Sequence, residues 1–237
     1  MSEALQIAIP SAVLFAAYLW LAGWTDWPWT RSACFAAGLV VIGCGVGFDD
    51  ISLAVHMAGH GVIVAIGAPL IVLSRPVTLM LRSLPRPAAR DLAVALRSPW
   101  LRRLCWPPLA FTAFVVGQLV FHLTPLFWTA LREEGLHAAE HLIFLVTALW
   151  LWSVCLAVEP LPGRWSPWAR AGLLMAAMSA SDVGAIKLML DGYGDAAVAM
   201  LASMLPLGLG AAGVAWAAVL KEERKARRRE GMAHAAS

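Results

Sequence analysis

Seven apolar runs, at about 5–24, 32–48, 51–73, 105–123, 137–157, 168–190 and 195–220, take up most of this 237-residue chain. Each is near the ~20 residues that a helix needs to cross the hydrocarbon core of a bilayer. Within that core every backbone N–H and C=O must be satisfied, which an α-helix does by itself. The fold class expected is therefore all-α: a polytopic transmembrane helical bundle of about seven spans. A hydrophobic content of 60%, with only 14% charged residues, and a mean hydropathy of +0.72 agree with this reading and argue against a soluble domain. The second run is short. The first begins Met-Ser-Glu without a basic stretch, so it reads as a retained span and not as a cleaved signal peptide.

Charge sets the expected orientation. The connection 74–104 carries Arg75, Arg82, Arg86, Arg90, Arg97, Arg102 and Arg103 against Asp91, and the tail carries Lys221, Arg224, Lys225, Arg227, Arg228 and Arg229. With seven spans, Arg31, Arg164 and Arg170 join them, so sixteen of the eighteen basic residues share one face. The positive-inside rule assigns that face to the cytoplasm, with the N-terminus outside and the C-terminus inside. Residues 1–220 then form one transmembrane domain, in which 74–104 is a cytoplasmic interfacial segment, and 221–237 is a basic cytoplasmic tail. The segment after Pro85 and Pro87 reads as a helix running to about Arg97 and lying flat in the inner interface. A basic tail beside an anionic leaflet needs no nucleic-acid partner. Its partner is the lipid bilayer.

Tryptophans such as Trp24, Trp27, Trp29, Trp128, Trp165 and Trp168 cluster near span ends, as an interfacial aromatic belt does. The four cysteines, Cys34, Cys44, Cys105 and Cys155, stand singly, which suggests neither a disulfide framework nor a thiol clamp for a metal.

Five of the six histidines form one pattern: His56 and His60, then His122, then His137 and His141. The two i,i+4 pairs each place both rings on one helix face, one turn apart. In the seven-span topology all five fall in the outer leaflet at comparable depth. Orientation was assigned from arginine and lysine alone, so this convergence is independent support for a site. Neutral imidazole suits copper, zinc and iron, and thioether sulfur favours Cu(I). Met57 adjoins His56, while Met200 and Met204 form an i,i+4 pair in the last span. Glu140 is placed to orient a ring as an outer partner. Asp49 and Asp50 would form an acidic lip that gathers cations. The candidate metal ligands are His56, His60, His122, His137, His141 and Met57, with Glu140, Asp49, Asp50 and Asp182 as supporting residues. Copper is the first choice of metal.

Each of these residues has a plainer reading. A lone histidine such as His122 packs and hydrogen-bonds in many bundles, methionines fill cores, and Asp49 and Asp50 suit a solvated loop. Asp182 lies at about mid-depth in the sixth span with Lys187 five residues on. Intramembrane charges are functional or paired by default, although that spacing is one residue off a shared face.

The stretch His56-Met57-x-x-His60, then Ala68-Pro69-Leu70 leading to Arg75-Pro76, His122-x-x-Pro125, His137-x-x-Glu140-His141 and Trp150-x-Trp152 resembles the CtaG-type assembly factors of cytochrome c oxidase. These are the multi-span bacterial proteins associated with caa-type oxidases. The resemblance covers roughly residues 51–160, and Gly194-Asp195 with Met200 to Trp216 gives only a loose echo of the family's last span. It implies a multi-pass protein of the bacterial inner (plasma) membrane that supports maturation of a haem–copper oxidase or another cuproenzyme. Such a metallochaperone is a binding and transfer protein without turnover. Two alternatives stand beside it: a redox protein holding b-type haem between paired histidines, and a membrane di-iron oxygenase. Five histidines with no adjacent pair argue against the latter.

Overall fold

The structure is a computed structural model that describes residues 3–48, 51–163 and 165–235. Its described residues are helical with short connections. Helices α1 (Glu3–Ala22) and α2 (Trp29–Gly47) form a hairpin. Then come α3 (Leu53–Val62), a five-residue π-helical turn (Ile63–Gly67), α4 (Ala68–Leu73) and α5 (Pro76–Ser83). Short helices α6 (Arg86–Leu96) and α7 (Pro99–Leu104) lead into α8 (Pro107–Leu123), α9 (Leu126–Ala130), α10 (Glu134–Leu156), α11 (Pro167–Leu190) and α12 (Gly194–Ala235). Each of the seven expected apolar runs is helical over most of its length. The basic tail continues α12 as helix to Ala235.

Five of the described segments are long and apolar enough to cross a membrane: Trp29–Gly47, Leu53–Ser83, Glu134–Leu156, Pro167–Leu190 and Gly194–Arg228. Two shorter apolar helices, Ile9–Ala22 and Pro107–Leu123, accompany them. The expected seven thus divide into five full-length helices and two short ones. At 1.5 Å per residue a 17-residue helix such as α8 reaches about 26 Å, a little under a hydrocarbon core of about 30 Å.

Local chemistry explains the helix boundaries. Ser52 begins α3 by accepting a hydrogen bond from Val55 N (3.2 Å), and Ser98 and Ser166 do the same for α7 and α11. Prolines lead α5, α6, α7, α8 and α11, where the missing N–H costs nothing. Helix α6, which follows Pro85, has no buried residues. The start of α5 is capped from far along the chain. Buried Glu159 accepts from Val77 N (2.9 Å), Thr78 N (3.0 Å) and Thr78 Oγ1 (2.5 Å).

The core lies where α3, α8, α10, α11 and α12 meet, filled by Phe114, Phe144, Leu151, Trp152, Leu174 and Leu207. Helix α3 is held very close to its neighbours. A Cβ on Gly59 would stand 2.4 Å from Gly45 O on α2, and one on Gly61 would stand 1.8 Å from Ser203 Oγ on α12. Such approaches let backbones pack directly, as small residues do between membrane helices. They also fix the rotation of the helix segment that carries His60.

Candidate metal centre

His56 and His60 lie one turn apart on α3, His122 in the last turn of α8, and His137, Glu140 and His141 in the first two turns of α10. Because α8 runs opposite to α3 and α10, all six come to the same end of the bundle. One ligand atom from each of His56, His60, His137 and Glu140 can be chosen so that all four lie within 4.8 Å of one another. Glu140, expected behind the histidines, is thus itself a member of the converging group. The other two histidines border it. The His141 ring centre is 4.6 Å from that of His137 and 4.8 Å from that of His60, and the His122 ring is 6.2 Å from His60.

The group is buried and its surroundings are aromatic. His56 and His60 are 2% and 1% exposed and Glu140 is fully buried. Phe144 lies under the cluster, its ring 4.9 Å from His60 and 5.5 Å from His122. Phe127 of α9 packs from the loop side at 6.2 Å from His56 and 6.0 Å from His122. Beside His122 a crevice of about 250 Å³ opens between α9 and α11, lined by Thr124, Pro125, Trp128, Lys187 and Asp191. Gly184 makes room here, since a Cβ on it would press within 2.9 Å of His122 Cβ and 3.1 Å of Met200 Cε.

Hydrogen bonding favours a cation. His122 Nδ1 lies 2.7 Å from Gln118 O, a carbonyl that can only accept, so the proton sits on Nδ1 and Nε2 keeps its lone pair. That Nε2, and both ring nitrogens of His60, are buried without a hydrogen-bond partner. Buried polar atoms left this way cost about 1–3 kcal/mol each, and a metal ion is one way to satisfy them. Neutral imidazole nitrogens with one carboxylate match the donors that hold zinc, copper or iron. For bonds of ~2.1 Å the ligand atoms of a tetrahedral site stand ~3.4 Å apart, so closing the 4.8 Å group asks for shifts under ~1 Å. The donors fit a single ion. A porphyrin would need a flat slot between two imidazoles, and here the neighbouring space is taken by other rings, His56–His60 at 4.2 Å and His56–His137 at 5.1 Å.

Met57 is fully buried and packs with Phe127, Ala185, Leu188, Ala197 and Met200, Phe127 itself lying 6.2 Å from His56. Met204 belongs to the main core. Asp182 is half-buried on α11 and is not part of the converging group. Lys187 pairs with Asp191 at i,i+4. Asp49 and Asp50 lie outside the described residues. Gln118 was missed: it is 1% exposed, one turn before His122 on the same face, and neither amide atom has a partner. A lone amide within an otherwise apolar helix was the available signal.

Residues 13–218 match the family described as the cytochrome c oxidase caa3 assembly factor. Uncharacterized proteins of Mycobacterium bovis and Mycobacterium tuberculosis are each 34% identical over 166 residues, 65% of this chain and 25% of theirs. One from Mycobacterium leprae is 30% identical over 164 residues, 64% of this chain and 25% of its own. The chain thus matches about a quarter of the length of these relatives. No solved structure matches it.

Proposed function

The chain belongs to the cytochrome c oxidase caa3 assembly factor family, and from that premise we propose that its histidine cluster binds copper and passes it towards a haem–copper oxidase. The observation that carries this reading is the convergence of His56, His60, His137 and Glu140 ligand atoms within 4.8 Å in a buried pocket. Two of the rings come as an i,i+4 pair on α3, and the third ring and the carboxylate are carried by α10. Among divalent first-row metals a site of nitrogen and oxygen donors holds copper most tightly, and an oxidase with copper centres is the client that the family name supplies.

In this proposal the site opens on the outer face, opposite the basic segments 74–104 and 221–228. Copper reaches it through the crevice beside His122, whose Nε2 is the first imidazole nitrogen on the way in. His141 and His122 serve as additional ligands as the ion moves, so that no ligand has to leave before another has bound. Phe144 and Phe127 exclude water and keep the donor set to protein atoms. Gln118, beneath His122, offers an amide oxygen or N–H to a ligand or to a water on the ion.

Elemental analysis with an absorption spectrum of the purified protein tests the reading. Copper near one per chain, without a Soret band, is the expected result. A Soret band would bring the b-type haem reading forward, and iron without one the di-iron reading.

A further inference from the structure

At the opposite end of the bundle from the histidines, two arginines lie over one indole and a third begins the neighbouring helix α5. The turn between α1 and α2 is tied down by a chain of hydrogen bonds: Trp27 Nε1 donates to Tyr18 Oη (2.9 Å), and Tyr18 donates to Ser74 O (2.7 Å), the residue before Arg75. Ser83 donates to Leu21 O (2.8 Å) and fastens the end of α5 to the end of α1. The Arg31 guanidinium lies over the Trp27 ring at 4.5 Å and that of Arg82 at 5.7 Å. Arg75 begins α5 in the left-handed region, at φ 57°, a conformation that costs a non-glycine residue about 1 kcal/mol or more.

These charges are poorly neutralised by the protein. Among the described residues no carboxylate forms an ion pair with Arg31, Arg75 or Arg82. Glu159 already accepts three hydrogen bonds at the start of α5. Asp26, in the same turn, forms no ion pair with these arginines among the described residues. Arg31 Nη1 is buried and has no hydrogen-bond partner. The depth of the cluster is marked by Trp24 and Trp29, which flank Trp27 and are 67% and 76% exposed. Exposed indoles at a span end sit at the level of lipid headgroups.

We propose that Arg31 and Arg82, set over Trp27, together with Arg75 at the start of α5, form a binding site for a phosphate-bearing anion at headgroup depth, with an anionic phospholipid as its natural source. Planar guanidinium forks match phosphate oxygens, and like charges held together need an external anion. The buried Nη1 of Arg31 supplies a donor that a bound phosphate would satisfy. Occupation would lock the α1–α2 turn to α5, far from the metal cluster, so the site is independent of the copper reading.

Native mass spectrometry of the full chain from nanodiscs of equal phosphatidylglycerol and phosphatidylcholine tests this, alongside thermal melts with inorganic phosphate or chloride at matched ionic strength. The wild type is expected to retain phosphatidylglycerol at least threefold over phosphatidylcholine, and R31Q/R82Q to lose that preference, while R90Q/R97Q on α6 keeps it. Stabilisation by inorganic phosphate that R31Q/R82Q abolishes would support the same site with a free anion as its source. No preference in the wild type, for either lipid or phosphate, overturns the proposal whether or not the double variant folds. An equal loss in R90Q/R97Q overturns it too, because diffuse charge would then be sufficient.

Discussion

Trp152 donates its indole N–H to the carbonyl of Val64 at 2.9 Å, across 88 residues of sequence. Val64 lies in the π-helical turn that follows His60 by one turn, where i→i+5 pairing disturbs the regular ladder. The Trp152 ring also packs on α12, where a Cβ at Gly210 would come within 2.3 Å of it. One side chain therefore joins α10, which carries His137 and Glu140, to the helix carrying His56 and His60.

Trp152→Phe keeps an aromatic ring and removes the donor. Leaving the Val64 carbonyl buried without it costs about 1–3 kcal/mol. A lowered Tm with roughly fivefold or greater weakening of copper in a chelator competition is expected, since the two helices lose their register. An unchanged copper affinity would detach the π turn from the site.

Gly61→Ala tests the approach of α3 to α12. The added Cβ falls on Ser203 Oγ, so one helix must move, at a cost of about 1–3 kcal/mol. Ser203→Gly should restore part of that loss in the double variant, because the two positions touch and their effects couple. Equal melts for Gly61→Ala and the double variant would contradict the contact.

The histidine cluster was more legible in the sequence than the devices that hold it. Two His-x-x-x-His pairs and the alternation of helix direction along the chain were sufficient to bring His56, His60, His137 and His141 to one end of the bundle, because helix period and span direction decide both. Glu140 was recognised, but its distance to the histidines depends on how α3 and α10 rotate about their axes, which spacing does not specify. That rotation is fixed by Gly59 and Gly61 against α2 and α12, and by Trp152 on Val64. Such contacts join residues far apart in the chain, as does the Glu159 cap on α5. The π turn has no composition of its own: Ile63–Gly67 reads as ordinary apolar helix.

Glu140→Gln separates charge from shape. The amide fits the same space, but a fully buried carboxylate among imidazoles supplies negative charge that a cation site uses and an amide does not. Copper affinity should fall by about 10–100-fold with little change in Tm, the range seen when groups supporting a metal are removed. Full affinity in the variant would make Glu140 a packing residue.

Orientation has its own test. A reporter fused after Ser237 should behave as cytoplasmic and one inserted at Gly192, in the exposed turn between α11 and α12, as external. The opposite pattern would turn the histidine end of the bundle towards the cytoplasm and remove the outward route for copper.

The most direct measurement is copper bound per chain in the His56→Ala/His60→Ala variant and in wild type, purified from the same membranes, with the copper content of the client oxidase measured in parallel. The two changes remove both ligands that α3 presents and leave the apolar surface that drives membrane insertion intact. The account predicts a correctly inserted protein that has lost most of its copper, and a copper-poor oxidase that added copper partly restores by mass action. A variant that keeps full copper content beside a normally loaded oxidase would contradict it.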